Sequence, residues 1–139
     1  MNKEIENLNE ALKRAMTNRP KVGGFPHLAE VLRQAGVIKN TWHLPSCQSF
    51  YLTKLGAVIT QGSPLVEGMT IVPPFDEMAL VRALRIDQAG NSTLPEFLLA
   101  SWKAGVISYD VDFEKHECTY YGSLGECYVE SYPVVELLT

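Results

Sequence analysis

No apolar run in this 139-residue chain approaches the ~20 residues that a bilayer-crossing helix needs. The opening residues, Met1 to Asn7, lack the cationic and apolar regions of a secretory signal. Cysteine is sparse. Cys47, Cys118 and Cys127 form an odd set without a Cys-x-x-Cys pair, which argues against a disulfide framework and for reduced thiols in a cytoplasmic protein. Established catalytic signatures are missing too: there is no P-loop, Gly-x-Gly-x-x-Gly, Gly-x-Ser-x-Gly or His-Glu-x-x-His. Asn91-Ser92-Thr93 fits a glycosylation acceptor, but without a secretory signal the match carries no weight. Positive charge is short in the second half. Residues 1–66 hold eight Lys/Arg against four Asp/Glu, and residues 67–139 hold four against twelve. The tyrosines concentrate in that acidic half, whereas a nucleic-acid surface interleaves aromatics with basic residues. Nucleic acid is therefore not the expected partner. Opposite-sign halves suit attraction across one fold or across a homodimer contact.

What is present suits one soluble domain, 1–139, with its own core. Apolar residues at helical spacing (Ile5, Leu8, Leu12, Ala15, Met16) predict a helix over 3–18 with Asn2 as its cap. A second helix is predicted from Pro26 through Leu28, Val31 and Leu32, ended by Gly36. Extended segments follow over 37–44, 47–53 and 57–60, broken by Pro45-Ser46 and Lys54-Leu55-Gly56. Beyond an extended connector over 65–72, a third helix is predicted over 76–87, burying Met78, Val81 and Leu84 with Leu80 as a further candidate. The capping box Thr93-x-x-Glu96 opens a fourth, packing Phe97, Leu98, Ser101 and Trp102. Gly105 stops it, and a three-stranded meander is expected to carry the remainder.

These two halves read as one pattern written twice. Sliding the sequence by 69 residues lays 25–67 on 94–136 with eleven identities in 43 ungapped positions. Pro26 falls on Pro95, Ala35-Gly36-Val37-Ile38 on Ala104-Gly105-Val106-Ile107, Tyr51 on Tyr120, and Leu55-Gly56 on Leu124-Gly125. The expected fold class is thus α+β: an internal duplication of an α-α-β-β-β unit (about 1–68 and 69–139). It gives two mainly antiparallel three-stranded meanders with helices on one face. Three repeats are the usual minimum for a solenoid, so a closed pair with approximate two-fold symmetry is expected instead.

Chemistry gathers in the second copy. Strand alternation separates Tyr109, Val111 and Phe113 from Ser108, Asp110 and Asp112. With Glu126, Tyr128 and Glu130 on a neighbouring strand, one sheet face is expected to hold Asp112, Glu126, Glu130 and one or two tyrosines. Tyr109, Asp112, Tyr120, Tyr121, Glu126 and Tyr128 are the candidate ligand- or partner-binding residues. Three readings stand side by side. Carboxylates beside aromatic rings bind a cationic ligand or a protein partner. Asp112 and Glu126, if close, form the acid–base pair of a small hydrolase or isomerase. Or the carboxylates are a solvated outer face that keeps the sheet soluble. The preferred reading is a non-enzymatic module binding a small molecule or a protein. His116, Cys118 and Cys127, or His43 with Cys47, offer metal-ligand chemistry without the spacing of a zinc site, so no metal and no cofactor are expected.

Several runs bear a family stamp. Pro95-x-Phe97, Ala104-Gly105-Val106-x-x-Tyr109-x-Val111-Asp112-Phe113, Thr119-Tyr120-Tyr121-Gly122 and Gly125-Glu126-x-Tyr128-x-Glu130-x-Tyr132-Pro133 resemble the YbcV-like family. Its members are small bacterial and prophage-associated proteins often labelled "phage envelope protein" (domain of unknown function 1398). The resemblance is sharpest over 94–136 and implies a protein of this size with no reaction, cofactor or catalytic residue to carry over. His116 stands where the family pattern suggests arginine.

Overall fold

A computed structural model describes residues 2–137. Four helices and six strands follow in the order α1 (Lys3–Thr17), α2 (Gly24–Gln34), β1 (Val37–His43), β2 (Gln48–Thr53), β3 (Gly56–Gln61), α3 (Glu77–Gln88), α4 (Leu94–Lys103), β4 (Val106–Asp112), β5 (Glu117–Gly122) and β6 (Cys127–Ser131). The fold is α+β. Its strands form the two expected antiparallel meanders, β1-β2-β3 and β4-β5-β6. They join into one antiparallel sheet ordered β3-β2-β1-β4-β5-β6, with β1 and β4 paired at the centre.

One face of this sheet is covered. Ser49, Tyr51 and Thr53 of β2, Val58 of β3, Tyr109 and Val111 of β4, and Cys118 and Tyr120 of β5 all point into the core. They meet Leu8, Ala11 and Ala15 of α1, Val31 and Leu32 of α2, Leu80 and Leu84 of α3, and Phe97, Leu98 and Trp102 of α4. The alternate positions of the strands form the other face, on which no helix among the described residues lies. In α1 and α3 the buried stripe is narrower than expected. Ala11 and Ala83 take inner positions, while Met16 and Met78 are exposed. Asn2 makes no side-chain cap, and α2 begins two residues before Pro26. The capping box of α4 forms as expected, Thr93 Oγ1 accepting from Glu96 N and Glu96 Oε1 from Thr93 N.

The 69-residue spacing recurs in the geometry. β1 and β4 differ by 69 residues at both ends, as do β2 and β5. Both central strands carry a bulge in the same place, Val37/Lys39 and Val106/Ser108. Gly36 and Gly105 both take positive φ after a helix, and Cys47 and His116 both take φ near +55° (53° and 57°) in equivalent hairpin turns. At the β1–β4 seam Thr41 pairs with Asp110, its own counterpart 69 residues on, and its hydroxyl donates to Asp110 Oδ1 at 2.8 Å. An approximate two-fold axis therefore passes through that pair. The correspondence fails at the last strand. Four residues lie between Leu52 and its partner Ala57, but five between Tyr121 and its partner Cys127. One extra residue turns every side chain of β6 to the opposite face.

Candidate functional site

That shift separates the residues expected to share a face. Asp110 and Asp112 of β4 and Thr119 and Tyr121 of β5 lie on the open face, beside Lys39 and Thr41 of β1. Glu126, Tyr128 and Glu130 lie on the helix-covered side, because Tyr128 pairs with inward-facing Tyr120, and Glu130 with Cys118. The expected cluster of Asp112, Glu126 and Glu130 is therefore not formed. Asp112 sits at the end of β5 marked by Glu117, and Glu126 folds over Gly122 at the other end. Five residues of strand, about 17 Å, and the thickness of the sheet lie between them. A shared proton transfer by this pair is excluded by that distance.

Each carboxylate has a local task instead. Asp112 Oδ1 accepts from Glu114 N and Lys115 N, both at 3.0 Å, closing the β4–β5 turn as an Asx motif. Glu126 Oε1 accepts from Leu124 N at 2.9 Å in the next turn. Glu130 accepts from Arg85, from Gln88 at 2.8 Å and from the Tyr128 hydroxyl at 2.8 Å. Burial opposes its ionisation, but the donors of Arg85, Gln88 and Tyr128 outweigh that and hold its carboxyl below the ordinary glutamate range. This clip fastens α3 to the edge strand β6.

The tyrosines divide in the same way. Trp42, Tyr109, Tyr120 and Tyr128 stand in register across β1, β4, β5 and β6 on the covered side. Neighbouring ring centroids lie 5.3–6.4 Å apart, and Phe97 adds an edge contact to Tyr109. Burial pushes the Tyr109 and Tyr120 hydroxyls far above their usual range, so both stay neutral. These rings are core packing. Tyr121 alone of the expected tyrosines lies on the open face, where its hydroxyl donates to Asp110 Oδ2 at 3.2 Å. Its ionisation is opposed by partial burial and by the Asp110 charge. Lys39 Nζ lies 3.5 Å from Asp110 Oδ2, and a depression of about 180 Å³ opens among these groups. Ligand cavities usually run to about 300–1,000 Å³, so this hollow suits a side chain better than a whole ligand. No group of three His, Cys, Asp or Glu among the described residues comes together to hold a metal. Cys118 faces the core, its thiol pushed up to about 12 by burial, while Cys127 lies on the open face.

Sequence reasoning missed the other half of the open face. Phe50 and Leu52 of β2 are each 39% exposed and Ile59 of β3 is 57% exposed. Phe50 pairs with Ile59 and Leu52 with Ala57, so these side chains form one apolar strip beside Lys39, Thr41 and His43. The signal was there: in Ser49-Phe50-Tyr51-Leu52-Thr53 the apolar residues fall on both strand faces, more than a half-buried strand needs.

The open sheet and its clipped edge belong to a recognisable lineage. The family described as "Protein of unknown function (DUF1398)" matches residues 13–131, and the chain belongs to it. The chain is similar to uncharacterized protein Rv2012 of Mycobacterium tuberculosis (strain H37Rv) and uncharacterized protein Mb2035 of Mycobacterium bovis. Each is 53% identical over 136 residues, covering 98% of this chain and 83% of the relative. Neither the family description nor these names state an activity, a ligand or a partner. No helix among the described residues is long and apolar enough to cross a membrane.

Proposed function

We propose that this chain is a non-enzymatic interaction module of the cytoplasm, and that its open sheet face receives a second copy of itself. The observation that carries the reading is the composition of that face. A face left bare for solvent alone is usually polar. Here β1–β3 present Phe50, Leu52 and Ile59 with Lys39 and His43, and β4–β5 present Asp110, Asp112, Glu117 and Tyr121. A two-fold axis parallel to the strands, between two facing sheets and above the β1–β4 seam, lays β1 over β4, β2 over β5 and β3 over β6. Lys39 of each copy then faces Asp110 and Asp112 of the other. Phe50 meets Thr119, Leu52 meets Glu117 and Ile59 meets Val129. Lys39 is opposed by carboxylates and Ile59 by an apolar partner, and such complementarity is what gives an interface specificity. Six strands of about six residues offer a face of roughly 29 by 20 Å. With the relief of its side chains, that approaches the ~800 Å² per partner buried in stable interfaces.

The matched elements support a duplicated origin, in which one copy kept an apolar outer face and the other became acidic. Self-pairing across the two is then an asymmetry put to use. Sedimentation equilibrium over about 1–100 μM tests the reading, a range that brackets a micromolar dissociation constant. Dimer is expected for the native chain and monomer for Phe50→Ser with Ile59→Asp. Lys39→Glu should weaken the dimer and Lys39→Glu with Asp110→Lys should restore it. A native chain that stays monomeric at the top of that range overturns the proposal.

A further inference from the structure

On the helical side, away from the open sheet, α1 and α2 leave a groove of about 730 Å³. Arg14 near the end of α1 and Asn18, the residue that caps it, form one wall. His27, Val31 and Gln34, on a single stripe of α2, form the other, and Leu137 leans in from the carboxyl-terminal segment. Volume alone places it within the range of small-molecule cavities. Its chemistry is mixed in the way such sites are: Val31 is buried and Leu137 packs on the core, giving an apolar floor, while the polar groups stand at the rim.

Two of its features favour an anion. Among the described residues, Arg14 makes no ion pair and no side-chain hydrogen bond. His27 Nδ1 is buried and has no hydrogen-bond partner among them, a cost that native structures seldom leave unrelieved. Glu136 also lines the groove and opposes any anion, a doubly charged one such as phosphate most strongly, so a single negative charge is the most that Arg14 can hold there.

We propose that this groove binds a small organic monocarboxylate with an apolar body. The carboxylate pairs with the Arg14 guanidinium, the body lies along Val31 and Leu137, and His27 Nδ1 gains the hydrogen bond it lacks. The test uses octanoate as probe, with octanamide as its uncharged counterpart and inorganic phosphate as the dianionic control, in a titration of the full chain followed by amide resonances. Saturable shifts confined to residues 14–18 and 27–34 are expected with octanoate alone. Arg14→Gln, at an exposed position, should weaken binding about tenfold or more, the worth of a charged hydrogen bond. His27→Gln should weaken it less. The proposal is overturned by any of three results: no saturable shift up to about 10 mM octanoate, which is weaker than ~3 kcal/mol of binding; equal shifts with octanamide; or unchanged affinity in Arg14→Gln with native circular dichroism.

Discussion

Replacing Glu130 by glutamine tests how the edge strand is held. The substitution keeps size and leaves an oxygen and an amide to meet Gln88 and Tyr128, so what it removes is the charge that Arg85 pairs with. A hydrogen bond to a charged group contributes ~1.5–3 kcal/mol when well buried. The Glu130 side chain is 17% exposed, but that of Arg85 is 53% exposed, and solvent screening reduces the figure. We expect a loss of about 1–2 kcal/mol at neutral pH, a decrease of roughly 0.5–1 M in the urea midpoint for a slope of ~2 kcal/mol/M. The sign of the pH dependence follows from the lowered folded-state pKa. A carboxyl held below its unfolded value contributes stability that is complete above the unfolded pKa and is lost as pH falls through the folded one. The gap between native chain and variant should therefore be widest near pH 7 and close in acid, below the usual glutamate range. Urea titrations at a series of pH values measure it directly. A gap that persists undiminished at pH 3 would mean that shape, not charge, holds β6 to α3, and the reasoning would fail.

Two glycines with the same φ of +87° should respond differently to alanine. At Gly105 an added Cβ would run into the backbone of Pro74 and Phe75, whereas at Gly125 nothing lies within 4 Å. Gly125→Ala should cost only the ~1–2 kcal/mol of a left-handed alanine, and Gly105→Ala clearly more, as read from thermal or denaturant midpoints. Equal costs would show that Pro74 and Phe75 yield freely. Thiol titration in the native state should find one fast cysteine, Cys127, since Cys47 and Cys118 are buried and burial raises both of their thiol pKa values. Cys127→Ser should abolish the fast phase, and a fast phase that survives would place the reactive thiol elsewhere. Tyr121→Phe removes the hydroxyl from Asp110 on the open face, and a change of less than ~1 kcal/mol in folding is expected because both groups retain solvent. A larger loss would assign Tyr121 to the fold and not to the surface.

Local chemistry made much of this fold readable. Thr93 with Glu96 marks a helix start, and Gly36 and Gly105 mark two helix ends, because each feature is enforced within a few residues of chain. Phe97, Leu98, Ser101 and Trp102 follow a stripe that helical spacing alone defines. The union of two meanders into one sheet depends on β1 pairing with β4, 69 residues away, and nothing local encodes it. Trp42 joins the aromatic row for the same reason: it meets Tyr109 only through that pairing, whereas Tyr109, Tyr120 and Tyr128 meet through the β4–β5 and β5–β6 hairpins. At the candidate site, strand alternation set Asp110 and Asp112 apart from Tyr109 and Val111, which needs only the period of one strand.

Glu126, Tyr128 and Glu130 were misplaced by a single residue, and that residue shapes the surface as a whole. Had the second hairpin kept the spacing of the first, Tyr128 and Glu130 would face outward where Ile59 and Gln61 do in β3, and the Arg85 clip could not form. The acidic half of the open face would then carry Glu126, Tyr128 and Glu130 in addition to Asp110, Asp112 and Glu117. Turning β6 over withdraws that charge to the helical side and presents Cys127 and Val129 instead. Val129 is then the apolar counterpart that Ile59 requires when β3 of one copy lies over β6 of another. The extra residue between Tyr121 and Cys127 thus fastens the sheet edge from within and makes its outer rim apolar, two consequences of one change in register.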